Sequence, residues 1–211
     1  MSEVTDTSGS ADRGQTTPSA NADWATIRDW RKATRDRLIA QRIALSAEER
    51  AAKSDRIGQA LRDALEPYAG GLVGFYWPFR GEFDPRGVVG ALRERGTRLA
   101  LPVIVERGQP LVFREWTPGS LMVQGTWKIP MPESGEAVFP NLLIVPLVGF
   151  DRDGYRLGYG GGFYDRTIAA MAERPRTIGV GFELGRLETI YPQPHDIALG
   201  TIVTESADAK S

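Results

Sequence analysis

The sequence predicts an α/β fold, a single domain whose mostly parallel central sheet is flanked by helices and preceded by a disordered N-terminal tail. Three observations carry this. Helix-period segments alternate with short apolar runs, and the alternation of helices and strands is the pattern of a layered α/β domain. The run Leu142–Val148 (LLIVPLV) is continuously apolar, as expected of a strand covered on both faces. A glycine-rich stretch follows that run and leads into another helix, which places a ligand-binding turn at the carboxyl edge of the sheet.

The elements follow in chain order. Residues 1–22 are rich in Ser, Thr, Ala, Gly and Asp, with Met1 and Val4 the clearly apolar residues, and are expected to be disordered. Their acids Glu3, Asp6 and Asp12 against Arg13 fit neither a secretory signal nor a mitochondrial transit peptide, so a cytoplasmic location is expected. From Asp23 to about Leu45 a helix without Gly or Pro places Ile27, Trp30, Thr34, Leu38 and Leu45 on one arc. Arg28, Arg31, Lys32, Arg35 and Arg42 fall on the adjacent arc, which reads either as an anion-binding stripe or as a solvated face. Ser46-Ala-Glu-Glu49 is a capping-box pattern that opens a second helix over about 47–65.

At Gly71–Trp77 the periodicity changes to a short apolar run, and Asp84-Pro85 supplies an N-cap and a first-turn proline for a helix through about Arg95. Strands are expected at 99–105, 110–114, 142–148, 177–182 and 201–204, with a helix over about 164–173. Pro146 marks a strand end or an irregular position. The domain should cover 23–206, with 207–211 a flexible C-terminus.

Composition narrows the chemistry. Lys and Arg number 26 against 27 Asp and Glu, a net charge of −1, which argues against a dedicated nucleic-acid binder. Cysteine is absent and His195 is the single histidine, so disulfides, thiolate metal sites, thiol nucleophiles and a histidine-rich metal centre are excluded. The longest uncharged run, 137–150, is too short to cross a bilayer and holds two prolines.

The richest segment runs from Asp151 to Arg166 and contains four glycines in the five residues 158–162. Glycine lets backbone amides approach an anion closely, Arg156 and Arg166 add charge for phosphate oxygens, and Asp165 offers a hard carboxylate suited to Mg²⁺. It is neither a Walker loop nor a dinucleotide fingerprint. A plain flexible turn is the competing reading.

The run Pro146-Leu-Val-Gly-Phe-Asp-Arg-Asp-Gly-Tyr-Arg-Leu-Gly-Tyr-Gly-Gly-Gly-Phe-Tyr-Asp-Arg166 resembles the signature of the 5-formyltetrahydrofolate cyclo-ligase family, also called methenyltetrahydrofolate synthetases. Arg31-x-x-x-Arg35, then Arg42-x-x-Leu-Ser-x-Glu-Glu49, Gly81-Glu82-Phe-Asp-Pro85, Thr126-Trp127-Lys-Ile-Pro130 and Pro194-His195-Asp196 occur in the family's order, over about residues 24–206. Two departures stand out: Arg31 where lysine is common, and Phe163 where tyrosine is common.

The resemblance implies an ATP- and Mg²⁺-dependent carbon–nitrogen ligase that closes 5-formyltetrahydrofolate to 5,10-methenyltetrahydrofolate, releasing ADP and phosphate through a phosphorylated formyl oxygen. By the same resemblance, Arg31, Arg35 and the loop Arg156, Leu157, Gly158, Tyr159, Gly160, Gly161, Gly162, Phe163 and Tyr164 match ATP contacts. Asp165 and Asp196 match Mg²⁺ ligands. Trp77, Glu82, Trp127 and Tyr164 match the folate pocket, and Arg156 and Tyr164 are the catalytic candidates. His195 is expected to support Asp196. The implied partners are 5-formyltetrahydrofolate and its polyglutamates, with no nucleic acid, no membrane and a monomeric state. A regulatory module that binds a nucleotide or sugar phosphate on the same fold is the alternative; it would need no pterin carboxylate at Glu82.

Overall fold

The computed structural model describes residues 17–19, 22–68 and 70–206. The tail expectation for residues 1–16, 20 and 21, and the flexible C-terminus at 207–211, lie outside the described residues.

Helix α1 (Trp24–Ala44) starts where Asp23 accepts a hydrogen bond from the Thr26 amide at 2.8 Å. Helix α2 (Ala47–Leu65) carries the full capping box, Ser46 Oγ accepting from the Glu49 amide at 3.2 Å and Glu49 Oε2 from the Ser46 amide at 3.0 Å. Strand β1 (Leu72–Gly74), helix α3 (Arg86–Glu94), β2 (Arg98–Val103) and β3 (Val112–Trp116) follow. Then come β4 (Met122–Gln124), β5 (Pro130–Pro132), β6 (Ala137–Val138), β7 (Leu142–Pro146), β8 (Gly149–Phe150) and β9 (Arg156–Leu157). Helix α4 (Phe163–Ala170), β10 (Arg176–Val180) and β11 (Thr201–Val203) complete the order.

Seven strands form the main sheet in the order β11-β10-β7-β1-β2-β3-β6. The block from β11 to β2 is parallel, and β3 and β6 add antiparallel pairings at one edge. Strand β7 explains the core, because alternate side chains of a strand face opposite ways. Leu142 and Ile144 join Ile57, Leu61 and Leu65 of α2 and Val88, Val89 and Leu92 of α3 on one face. Leu143 and Val145 join Ile168 of α4 on the other. Leu142 to Val145 are wholly buried, each contributing about 1.5–3 kcal/mol of burial free energy. Among the described residues no helix is long and apolar enough to cross a membrane.

Several expectations shift. Pro85, not Asp84, occupies the cap of α3, its carbonyl accepting from the Val88 and Val89 amides, while Asp84 accepts from the Arg86 amide and pairs with its guanidinium. Helix α4 stops at Ala170 because Met171 turns to extended backbone. On α1, Trp30 and Leu45 are only partly buried, whereas Arg31, Ile39 and Arg42 join Ile27, Thr34 and Leu38 inside. Pro18 is buried, and its carbonyl accepts from the Tyr191 hydroxyl at 2.6 Å, so the segment at 17–19 is docked rather than part of a free tail.

Candidate active site

A cleft of about 610 Å³ opens where α1 passes the carboxyl ends of the parallel strands. Every ATP, metal and folate residue implied by the resemblance lines it except Leu157, whose side chain is 1% exposed in the core while its backbone pairs with Gly149. Arg166, expected to meet phosphate, is not on the lining and donates to Gly161 O instead.

The glycine-rich loop forms one wall. Buried Asp151 sets its approach: Oδ1 accepts from the Asp153 and Tyr155 amides, and Oδ2 from the Ile190 amide at 3.1 Å. Gly158 O accepts from Arg35 Nε at 2.6 Å, and Gly161 O accepts from the Arg166 guanidinium. Gly160 and Gly162 have φ of 85° and 61°, left-handed values that glycine adopts without strain. A Cβ at Gly162 would also lie 2.8 Å from Arg166 Nη1. Gly162 caps α4, so the first amides of that helix, which lack intrahelical partners, open beside the loop.

Arg156 is buried, donates to Ile197 O at 2.9 Å and pairs with Asp165 Oδ2 at 3.2 Å. Asp165 Oδ1 accepts from the Ile197 amide at 3.0 Å, which brings Asp165 beside the peptide that follows Asp196. Asp196 Oδ2 accepts from Arg31 Nη2 at 2.6 Å and from the Gln193 amide at 2.7 Å. His195 is exposed at the rim, its Nε2 3.9 Å from Asp196 Oδ1 and its ring edge-on to Trp24.

The opposite end is built by a tight turn. The Glu82 amide donates to Phe79 O at 3.1 Å, and the two central residues, Arg80 and Gly81, have φ of 46° and 73°, as a type I′ turn requires. Glu82 Oε2 reaches back to the Phe79 amide at 2.8 Å, and Oε1 accepts from the Tyr159 hydroxyl at 2.8 Å. Burial raises the Glu82 carboxyl to about 7, against the opposing pull of Arg42, Tyr159 and the Phe79 amide. Tyr164 lines the same end; its buried hydroxyl has no hydrogen-bond partner, and burial together with Glu82 pushes its pKa up.

Trp77 packs edge-on to Trp116 with the Arg86 guanidinium 4.4 Å from its ring. Trp127 stands at the tip of the β4–β5 hairpin, with φ of 57°, 48% exposed and edge-on to Phe163. A left-handed tryptophan at a hairpin tip is costly backbone that the Ile129 amide to Thr126 O bond, 3.2 Å, holds in place.

The basic stripe fits neither expectation as a whole. Arg31 and Arg42 are buried and donate mainly to backbone carbonyls, Arg35 grips the glycine loop, and Arg28 and Lys32 remain exposed at the cleft rim. Sequence reasoning missed the contact of Tyr159 with Glu82 and the parts of Tyr76, Phe79 and Met131 in the walls. The Arg80-Gly81 pair was the available signal for the turn that aims Glu82.

Comparison with known proteins places this architecture. The model of the 5-formyltetrahydrofolate cyclo-ligase family matches residues 27–205. The 5-formyltetrahydrofolate cyclo-ligase of Escherichia coli K12 is 34% identical over 142 residues, 64% of this chain and 78% of that protein. That of Mycolicibacterium smegmatis is 32% identical over 160 residues, 69% of this chain and 80% of that protein. Among solved structures, the 5,10-methenyltetrahydrofolate synthetase of Aquifex aeolicus matches with a TM-score of 0.73 at 27% identity, covering 85% of this chain and 91% of that one. The synthetase from Mycoplasma pneumoniae shares the fold with a TM-score of 0.68 at 23% identity, covering 83% and 99%. With the family model matched from within α1 to just past β11, the chain belongs to the 5-formyltetrahydrofolate cyclo-ligase family.

Proposed function

We propose that this chain uses ATP and Mg²⁺ to convert 5-formyltetrahydrofolate to 5,10-methenyltetrahydrofolate, releasing ADP and phosphate. The observation that carries the reading is one cleft with two chemically distinct ends, the glycine loop with Arg35 at one and the Glu82 carboxylate with Tyr159 at the other. A module that binds only a phosphate ligand has no use for the second end.

A formamide oxygen is a poor leaving group. Transfer of the γ-phosphoryl group to that oxygen makes it a good one; N10 then attacks the formyl carbon and phosphate departs. Such chemistry asks for in-line positioning, neutralisation of phosphate charge and exclusion of water more than for a nucleophile. In this reading the loop amides of 158–162 and the Arg35 guanidinium cradle the triphosphate, and Arg156, anchored by Asp165, faces the transferring group. Glu82, with two hydrogen bonds already received, has lone pairs left to accept from pterin N–H donors. Trp77 and Trp127 supply flat apolar walls, and Tyr164 lines the cleft with its hydroxyl buried and unpartnered.

Asp165 and Asp196 suit Mg²⁺ by donor type: two hard carboxylates on one wall, without a dedicated cage of three or more acids or histidines among the described residues. A cation held by one or two carboxylates plus phosphate oxygens is the usual mode for Mg²⁺ with a nucleotide. When bound there it would neutralise phosphate charge. Mixing the enzyme with ATP, Mg²⁺ and 5-formyltetrahydrofolate should raise the near-UV absorbance of the methenyl product with one ADP formed per turnover. Neither signal at micromolar enzyme would reject the reading.

A further inference from the structure

Arg42 is 3% exposed near the end of α1, and its guanidinium reaches three separate segments. Nε donates to Arg80 O at 3.0 Å, Nη1 to Leu147 O at 3.0 Å and Nη2 to the Tyr159 hydroxyl at 2.7 Å. These acceptors lie on the turn that carries Glu82, just past the end of β7, and on the glycine-rich loop. We propose that Arg42 is a positioning residue that sets both the orientation and the ionisation of Glu82, acting through the Tyr159 hydroxyl and the Arg80–Gly81 turn.

The direction of each hydrogen bond makes the argument. A guanidinium donates and never accepts, so the Tyr159 oxygen must accept from Arg42, and its single proton is left for Glu82 Oε1 at 2.8 Å, a charged and nearer acceptor than Phe79 O at 3.4 Å. The other carboxylate oxygen meets the Phe79 amide, also a donor. The ionised Glu82 is satisfied by both donors as they stand, whereas a protonated Glu82 needs the Tyr159 proton to swing to the longer Phe79 O contact before the phenol oxygen can accept from it. This opposes the burial that favours the neutral acid.

The second route is the backbone. Arg80 is a non-glycine residue at φ of 46°, and the turn is gripped at both central carbonyls: Arg42 holds Arg80 O, and Arg50 of α2 holds Gly81 O at 2.8 Å. The groups that face Glu82 are Arg42 from α1, Tyr159 from the glycine loop, Tyr76 from the segment after β1 and Tyr164 from α4. Arg42 is the cation among them.

The geometric part of the inference stands on the ligand-free enzyme, and only its consequence for folate rests on the function proposed above. The test is a pH titration of the Glu82 carboxyl carbon by NMR in full-length enzyme carrying ¹³C-labelled glutamate, assigned by Glu82→Gln. Three variants are compared: Arg42→Gln, Arg42→Lys and Tyr159→Phe. The expected result is an upward shift of the Glu82 midpoint, by about one pH unit in Arg42→Gln. A smaller upward shift is expected in Arg42→Lys, which keeps the charge and loses the fork. Tyr159→Phe, in which Arg42 is intact, should also shift upward. At pH 6 the KM for 5-formyltetrahydrofolate should rise about tenfold in Arg42→Gln, and at pH 8 only about twofold, with a smaller change in kcat. A purely structural arginine would lower the melting temperature and leave the midpoint alone, so a wild-type midpoint in whichever of these variants fold overturns the proposal. If the midpoint moves but 5-formyltetrahydrofolate binds none of the proteins, the functional reading fails and the role of Arg42 stands.

Discussion

The guanidinium of Arg31 lies 2.6 Å from the carboxylate of Asp196, a residue 165 positions later, and both side chains are nearly buried. Arg31 also donates to Ile190 O at 2.9 Å and Tyr191 O at 2.8 Å, so it fastens the 190–196 segment to α1. The contact with ATP proposed for Arg31 would therefore be shared with a structural duty, and the charge of Asp196 is partly met by Arg31. Asp196→Asn should cut turnover by about two orders of magnitude while 5-formyltetrahydrofolate, held at the Glu82 end, binds nearly as before. Calorimetric titration alongside steady-state rates separates the two effects, and equal loss of both would undo the division of the cleft.

Glu82→Gln should show the reverse emphasis, weakening folate binding by about 1–3 kcal/mol because pterin donors lose a charged acceptor. The pH dependence has a definite sign. With the carboxyl raised to about 7, ionisation grows through neutrality, so affinity for 5-formyltetrahydrofolate should increase roughly tenfold from pH 6 to pH 8 in the wild type and stay flat in Glu82→Gln. Ligand-free stability moves the other way: a folded value above the ordinary 4.5 means the native state holds the proton more tightly, so Glu82's contribution declines between about pH 4.5 and 7. Denaturant melts of the two proteins across that range check the second half.

Arg35 grips Gly158 O through Nε, and its guanidinium carbon sits 3.5 Å from where a Cβ on Gly160 would stand. Arg35→Ala should weaken ATP more than folate, since a planar fork over the loop has no geometric substitute nearby. Nucleotide titration showing wild-type ATP affinity would remove Arg35 from the phosphate end.

How much of this was legible varies by element. Ser46 and Glu49 announce their cap through local chemistry, and β7 announces itself by an unbroken apolar run, because both signals are contained in a few adjacent residues. The glycine loop was legible for the same reason. What the sequence hides is long-range choice: nothing local distinguishes Arg35, at the cleft, from Arg42, buried against Arg80, Leu147 and Tyr159. The β4–β5 hairpin escaped because its strands are three residues each and its turn uses Trp127 and Lys128 where Asn-Gly would be the usual sign. Pro18 escaped because a single proline in a polar segment carries no periodic signal.

That proline supports a further expectation. The Tyr191 hydroxyl donates to Pro18 O, and the Tyr191 ring packs edge-on to Trp30 at 5.0 Å. Removing residues 1–19 should lower stability by about 1 kcal/mol rather than leave it untouched. Tyr191→Phe should cost a similar amount in the full chain and almost nothing in the shortened one, a cycle readable by chemical denaturation.

The central claim is that a single cleft passes a phosphoryl group from ATP to the formyl oxygen of the folate. Following ¹⁸O placed in that formyl oxygen tests it most directly. Transfer of phosphorus to the oxygen, then departure of phosphate as N10 closes the ring, requires the label to leave in inorganic phosphate, one atom per methenyl product. Methenyl product formed with unlabelled phosphate would contradict the account, as would ATP hydrolysis that proceeds at the same rate without 5-formyltetrahydrofolate.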